Sequence, residues 1–249
     1  QRLHAEGSYL MSLGSKLAEA VRNPKLVLYY LKRKKYSWAT DADGFTRKVY
    51  GSYEEYLEHQ KEKLRKIEDG TYSFFEDKDY DTDYANALKK RLEESGRVKA
   101  GSTVLCLAAR LGTEVKAFLG INCFAVGLDL NPGKENKYVV YGDFHNIQFP
   151  AGSVDVVFCN SLDHAFELDM LMAEIKRVLK PDGQLVLEIN LSSDEAKGSQ
   201  AGYFEALSWD SNETLMRFLE SRGFRCVHSV NIDFPWKGVH AYFSPQPSL

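Results

Sequence analysis

The sequence predicts an α/β protein: a doubly wound, mostly parallel sheet with an antiparallel C-terminal hairpin, preceded by an N-terminal helical region. Three observations predict it. From Thr103 onward short β-rich runs alternate with helical segments, a pattern that implies parallel strands joined by right-handed crossovers. Within residues 166–179, Leu168, Leu171, Met172, Ile175, Val178 and Leu179 repeat at three-to-four spacing, which marks a helix with one apolar face. Two final β-runs, RCVHSVNI and VHAYFS, flank Pro235 and are expected to pair as the antiparallel hairpin.

Taken in order, the first region is helical and polar. Pro24 stands where a helix can begin, and KLVLYYLKRKKYSW runs from apolar to basic, so that residues 32–35 place cations near a helix carboxyl end. Tyr53, Tyr56, Leu57, Leu64 and Ile67 then recur at spacings of three, four and seven, predicting an amphipathic helix over residues 52–67. A charged stretch, residues 76–83, precedes YANALKKRLEES, where Ala85, Leu88 and Leu92 share a helical face before a Gly96 stop. The boundary is placed at residue 75, giving a helical cap over residues 1–75 and an α/β domain over residues 76–249. In that domain TVLCLA, FAVGLDL, KYVVYGD, VDVVFCN and QLVLEIN read as strands and EVKAFLG as a helix. Lys180-Pro181-Asp182-Gly183 ends the helix of residues 166–179, and Asp210 with Glu213 offers a capping box for a last helix that Gly223 closes.

Composition narrows the class. The chain has 249 residues, of which 44% are hydrophobic and 27% charged, and no apolar run is long enough to span a bilayer, so a soluble protein is expected. A formal charge of −3 supplies no global attraction to a phosphate backbone, and a nucleic-acid partner is not expected. Cys106, Cys123, Cys159 and Cys226 lie apart, mostly inside apolar runs, with no metal-ligand spacing. They read as reduced core thiols of a cytoplasmic protein. The first residues lack the basic, apolar and small-residue regions of a signal peptide.

A nucleotide-like ligand at the carboxyl edge of such a sheet needs a tight strand-to-helix turn and, on the next strand, an acid that accepts bonds from ribose hydroxyls. The turn is Ala108-Ala109-Arg110-Leu111-Gly112 and the acid is Asp129, within the expected interval of about 20 residues. Gly142-Asp143-Phe144 follows the next strand and offers a carboxylate and a ring for a base. The succession VLCLAARLGTEV, GLDLNP, YGDFHNIQFPAGSVDVVFCNSLDHAFEL and EIKRVLKPDGQLVLEIN resembles the ordered motifs of class I S-adenosylmethionine-dependent methyltransferases, whose core is Rossmann-like. The resemblance covers residues 102–190 and implies S-adenosyl-L-methionine as cofactor. It implies Asp129, with Leu130 beside it, on the ribose, and Gly142, Asp143 and Phe144 at the adenine. Ala108, Arg110 and Gly112 would border the cofactor in the first loop, and Asn160 and Ser161 would line the methionine and methyl region.

The first loop departs from the family pattern. Acidic-x-Gly-x-Gly-x-Gly reads Cys106-Leu107-Ala108-Ala109-Arg110-Leu111-Gly112 here, so only the last glycine is kept. The loop is similar to that of a methyltransferase-like subgroup carrying Cys-Leu-Gly-Ala-Arg. Ala108 permits a close backbone approach if its φ is negative. Arg110 either pairs with the methionine carboxylate or occupies the pocket.

Oxygen acceptors usually need a base, and Asp163 and His164, just past the fourth strand, are the candidates, with His145 and His240 behind them. Tyr29, Tyr30, Tyr36, Trp38, Tyr50 and Tyr53 are expected mainly to fasten the first region to the core, with one or two reaching the substrate. The expected function is methyl transfer to a small-molecule or glycan-like acceptor; the alternative is a methyltransferase fold that binds without catalysis. A nicotinamide oxidoreductase is disfavoured by the lack of Gly-x-Gly-x-x-Gly. Nucleic-acid amino methylation is disfavoured by Asn160-Ser161-Leu162-Asp163, which stands where that chemistry uses Asn-Pro-Pro-aromatic. Oligomeric state is not legible.

Overall fold

The computed structural model describes residues 36–68, 79–191 and 204–246. Seven strands form the main sheet: β3 (Thr103–Leu107), β4 (Phe124–Asp129), β5 (Val139–Tyr141), β6 (Val154–Cys159), β7 (Leu179–Asn190), β9 (Phe224–Ile232) and β10 (Gly238–Pro245), in the order β5-β4-β3-β6-β7-β10-β9. The first five are parallel, and β10 and β9 close the sheet as an antiparallel hairpin. This is the predicted doubly wound architecture.

The strands read as nearly unbroken apolar runs because both faces of the sheet are covered. Leu105, Leu107, Val157, Leu185 and Leu187 point to one side, where α4 (Leu168–Val178) and α5 (Asn212–Ser221) lie. Val104, Cys106, Val156, Phe158 and Val186 point to the other, toward α2 (Tyr80–Ser95) and α3 (Thr113–Leu119). Period-two alternation thus assigns each strand residue to one of two cores.

Two boundaries differ from expectation. Strand β7 begins at Leu179, directly at the end of α4, because Val154 pairs with Leu179 and draws the Lys180-Pro181-Asp182-Gly183 segment into the strand. The N-cap of α5 is Ser211, whose Oγ accepts the Thr214 amide at 3.1 Å, while Asp210 accepts the Thr214 hydroxyl at 2.5 Å. A capping serine fills the role assigned to Asp210.

The first region is not wholly helical. Helix α1 (Tyr53–Glu68) forms as expected, but β1 (Trp38–Thr40) and β2 (Phe45–Lys48) precede it and pair antiparallel with β8 (Leu207–Trp209). Asp41 makes the turn, its Oδ1 accepting the Asp43 and Phe45 amides at 3.0 and 2.9 Å. Residues 24–35 and the proposed boundary at residue 75 lie outside the described residues, as do Tyr29 and Tyr30. Among the described residues no helix is long and apolar enough to cross a membrane.

Candidate active site

From β3 the chain winds to β4 and β5 on one side, and β6 and β7 lie on the other, so the direction reverses between β3 and β6. Crevices open at the carboxyl ends of strands at such a switch point. Two adjoining pockets occupy it. One is walled by Leu128, Asp129, Leu130, Gly142 and Phe144, with Tyr56 and Gln60 above; the other by Glu114, Asn160, Asp163, Glu205 and Trp236. They meet at Lys63, Ala108, Arg110, Ser161 and His164, which line both.

Asp129 is buried at the end of β4 and organises the first loop. Its Oδ2 accepts the Arg110 amide at 3.0 Å and its Oδ1 the Asn131 amide at 2.8 Å. Burial raises its pKa, opposed by these two bonds and by Arg110. Each carboxylate oxygen keeps a second lone pair for a ligand hydroxyl. Ala108 has φ +52°, so the negative φ on which its close approach was premised is not what the turn adopts. The turn requires a left-handed residue where the family has glycine, and alanine carries that strain.

Gly112 does not line either pocket. With φ +73° it starts α3, and a Cβ there would lie 2.7 Å from the Tyr138 Cβ. Its role is to let the loop turn against β5 rather than to admit a ligand. Gly112→Ala is expected to destabilise the fold by about 1–3 kcal/mol, read by denaturant unfolding; an unchanged midpoint would contradict this packing.

The Arg110 side chain borders both pockets and makes no hydrogen bond or ion pair among the described residues. Burial works against its charge, and the nearby Asp129 and Glu114 favour it. A recessed, unpaired guanidinium in a pocket wall is suited to an anionic ligand group.

Asp143 is engaged by protein. Its Oδ1 accepts the His145 amide at 2.9 Å and lies 3.1 Å from His145 Nδ1, and Tyr53 on α1 donates its hydroxyl to Oδ2. His145 Nε2 accepts the amides of Phe166 and Glu167 at 3.1 and 3.3 Å, which places the ring proton on Nδ1. Burial pushes Asp143 up, and the bonds from His145 and Tyr53 more than reverse this. Asp143 and His145 therefore bind α1 to the sheet edge, and only their neighbours Gly142 and Phe144 reach the pocket.

Asn160 sits at the head of a buried polar chain. Its Nδ2 donates to Glu114 Oε1 at 2.8 Å and to the Tyr84 hydroxyl at 3.0 Å, and Ser161 Oγ donates to its Oδ1 at 2.9 Å. Tyr84 donates to Glu188 Oε2 at 2.6 Å, while Arg91 and His240 hold Glu188 Oε1 at 2.9 Å each. His240 is thereby committed to the core of the hairpin and faces neither pocket.

Asp163, His164 and Glu205 converge, each offering one polar atom within 4.8 Å of the others. Both His164 ring nitrogens are engaged: Nδ1 donates to Gln60 Oε1 at 3.1 Å, and Nε2 accepts from Lys63 at 3.0 Å. Burial, then Lys63, hold its pKa well below the ordinary imidazole value, so the ring is neutral. Burial and Glu205 raise Asp163 to about 7, against Lys63; burial lowers Lys63 to about 8, against Glu205 and Asp163. Such a pair exchanges protons near neutrality as a unit.

Sequence reasoning missed Gln60, Lys63, Glu114, Glu205 and Trp236. The signal for Gln60 was available: it interrupts the apolar stripe of α1, falling four residues after Tyr56 and three after Leu57. Glu205 carried none, since its position depends on the segment that leads into β8. Of the aromatics, Tyr36, Tyr50 and Tyr53 pack with Tyr56, His59 and Phe166, and Tyr56 is the ring that reaches the pocket.

Residues 100–187 match the family described as a methyltransferase domain. No curated protein sequence matches the chain. Among solved structures, the 1,6-didemethyltoxoflavin-N1-methyltransferase of Burkholderia thailandensis is similar at 17% identity with a TM-score of 0.62, over 85% of this chain and 96% of that one. A SAM-dependent methyltransferase from Aquifex aeolicus aligns at 19% identity and TM-score 0.51, over 62% and 88%. The glycopeptide N-methyltransferase MtfA aligns at 15% and 0.52, over 70% and 92%. Sheet order and switch-point crevice give the chain the Rossmann-like fold of these structures, and residues 100–187 carry the methyltransferase domain match. A methyltransferase with S-adenosyl-L-methionine as cofactor is what the domain match over residues 100–187 supports.

Proposed function

We propose that the protein transfers the methyl group to a small-molecule or glycan-like polar acceptor, with Asp163 as the base. The observation that carries this reading is the meeting of the two pockets: Lys63 and His164 line both together with Arg110 and Ser161, and Asp163 and Glu205 line the second beside them. In this reading Asp129 takes the ribose hydroxyls and Leu128, Leu130, Gly142 and Phe144 enclose the base. Arg110 takes the carboxylate of the methionine end, and Asn160 and Ser161 flank that end. S-adenosylmethionine, when bound, supplies a methyl group on a positively charged sulfur.

The chain contributes position and proton handling. An acceptor entering beside Trp236, Tyr80 and Asn190 meets aromatic faces and hydrogen-bonding groups together, a lining suited to a polar ring compound. The methyl group would come from that sulfonium, and the part of the chain is to hold the acceptor oxygen or nitrogen and to take its proton on Asp163. Lys63 holds the carboxylate ionised for this role, and His164 and Gln60 hold Lys63 in place. Residues 1–75 act as the cap, with α1 presenting Tyr56, Gln60 and Lys63 over the sheet edge. The acidic net charge speaks against a nucleic-acid acceptor, and four free thiols suit a reducing, cytoplasmic setting.

Calorimetry with S-adenosylhomocysteine, followed by transfer of labelled methyl to a panel of small hydroxylated and amino compounds, tests the reading. Binding with turnover on one of them is the expected result. Binding with no transfer to any acceptor would instead favour the non-catalytic alternative, which the unusual first loop motivates.

A further inference from the structure

We propose that Glu114 is the carboxylate that receives the α-ammonium group of the cofactor, opposite Arg110, which receives its α-carboxylate. The inference rests on the cofactor assignment and on the side chains around the second pocket. The methionine end of the ligand is a zwitterion, so a site that buries it must supply one anion and one cation a few ångströms apart. In the loop pattern that this chain resembles, an acidic residue precedes the glycines. Here that position holds Cys106, a fully buried thiol on the far side of the loop from solvent. The anion must come from another position.

Three carboxylates line the second pocket: Glu114, Asp163 and Glu205. Asp163 and Glu205 both lie in the field of Lys63 and so have a cation already. Glu114 differs. It is 8% exposed, the Asn160 amide donates to it at 2.8 Å, and no cation lies within ion-pair distance among the described residues. It shares the pocket wall with Ala108, Arg110 and Asn160, at the end where the methionine group would lie. The Asn160 amide holds Oε1 and the carboxylate also takes the Glu114 amide, which leaves lone pairs for one further donor.

A buried carboxylate facing other acids is costly to ionise. Burial raises the Glu114 pKa to about 7 against the bonds from its own amide and from Asn160, with Glu188 and Asp129 adding to the rise. Tyr80 and Tyr84 are neutral, and Arg110 is the nearby cation, so an arriving ammonium would supply the missing counter-charge. The Asn160 bond also survives in a glutamine variant, since Gln retains an acceptor oxygen at the same place.

Equilibrium binding to the full chain tests the proposal with three probes: S-adenosylhomocysteine, its analogue lacking the amino group, and 5′-methylthioadenosine, which lacks the amino-acid end. The unmodified protein should bind S-adenosylhomocysteine at least about 10-fold more tightly than the deaminated analogue, as a charge-assisted bond implies. Glu114→Gln should weaken S-adenosylhomocysteine about 10- to 100-fold and leave the other two within about twofold. Arg110→Met should weaken both carboxylate-bearing probes and spare 5′-methylthioadenosine. Equal affinity of the unmodified protein for the first two probes would overturn the proposal, and it needs no variant to be folded. A Glu114→Gln protein that loses all three probes alike, or none, would also overturn it. Absence of binding to every probe by the unmodified protein would remove the cofactor assignment, and this inference with it.

Discussion

Replacing Asp163 with asparagine should lower kcat by about 10²- to 10⁴-fold on an acceptor that must lose a proton, while S-adenosylhomocysteine affinity stays within a few-fold. Asparagine keeps the shape of the side chain and removes its capacity to take a proton. The pH profile carries a second signature. Asp163 acts only when ionised, and its pKa is raised to about 7, so kcat/KM should climb as pH rises through neutrality and then level off. The climb should disappear in Asp163→Asn. A variant with full activity and an unchanged profile would take the base role away from Asp163. Lys63→Met removes the cation that lowers the Asp163 pKa, and the rising limb should move to higher pH.

The second large effect is structural. Glu188 is 2% exposed, yet it collects bonds from Tyr84, Arg91 and His240, joining α2, β7 and β10. Burial pushes its pKa up, and His240, Arg91 and Tyr84 together bring it below the ordinary glutamate value. Glu188→Leu leaves three donors without their acceptor, one of them charged, and should cost about 3–5 kcal/mol. In a chain of this length that lowers Tm by about 10 °C, measurable by calorimetry. Glu93→Ala, which removes an exposed partner of Lys89 on α2, should change stability by less than about 0.5 kcal/mol. Comparable losses in the two variants would mean that burial of the network is not what holds it. Because the folded pKa of Glu188 is depressed, its contribution is complete above the ordinary glutamate value of 4.5 and is lost as acid carries the pH down through the lowered one.

The main sheet was legible because its signals are local: β3 to β7 are contiguous apolar runs, and α4 carries Leu168, Leu171, Met172, Ile175 and Val178 at helical spacing. The small sheet was not. Its strands have three or four residues, with Thr46, Arg47 and Lys48 in β2, and they exist because β8 supplies hydrogen bonds from about 160 residues away in sequence. The site divides in the same way. Asp129 could be placed from its position after a strand, and the structure puts it at the crevice. Asp143 had the same local credentials, yet the hydroxyl of Tyr53 and the amide of His145 absorb it, and no local pattern reveals a partner on another helix. Glu114 reads in sequence as an ordinary first-turn acid of α3, and only the packing of α2 over it shows that it is enclosed.

The β1–β2–β8 sheet also sets an order of events during synthesis. The crevice wall that holds Asp129, Arg110 and Asn160 is complete once the ribosome has released β3 to β7, a nearly continuous stretch of chain. The opposite wall requires Gln60 to reach the Phe204 carbonyl and Lys48 to reach that of Ala206, so its first half waits for a partner made some 140 residues later. A nascent chain arrested before residue 204 therefore has the sheet edge of the crevice but lacks the Phe204 carbonyl that Gln60 reaches, and lacks Glu205 and Trp236 of the second pocket. The floor of the crevice is made before the wall that closes over it.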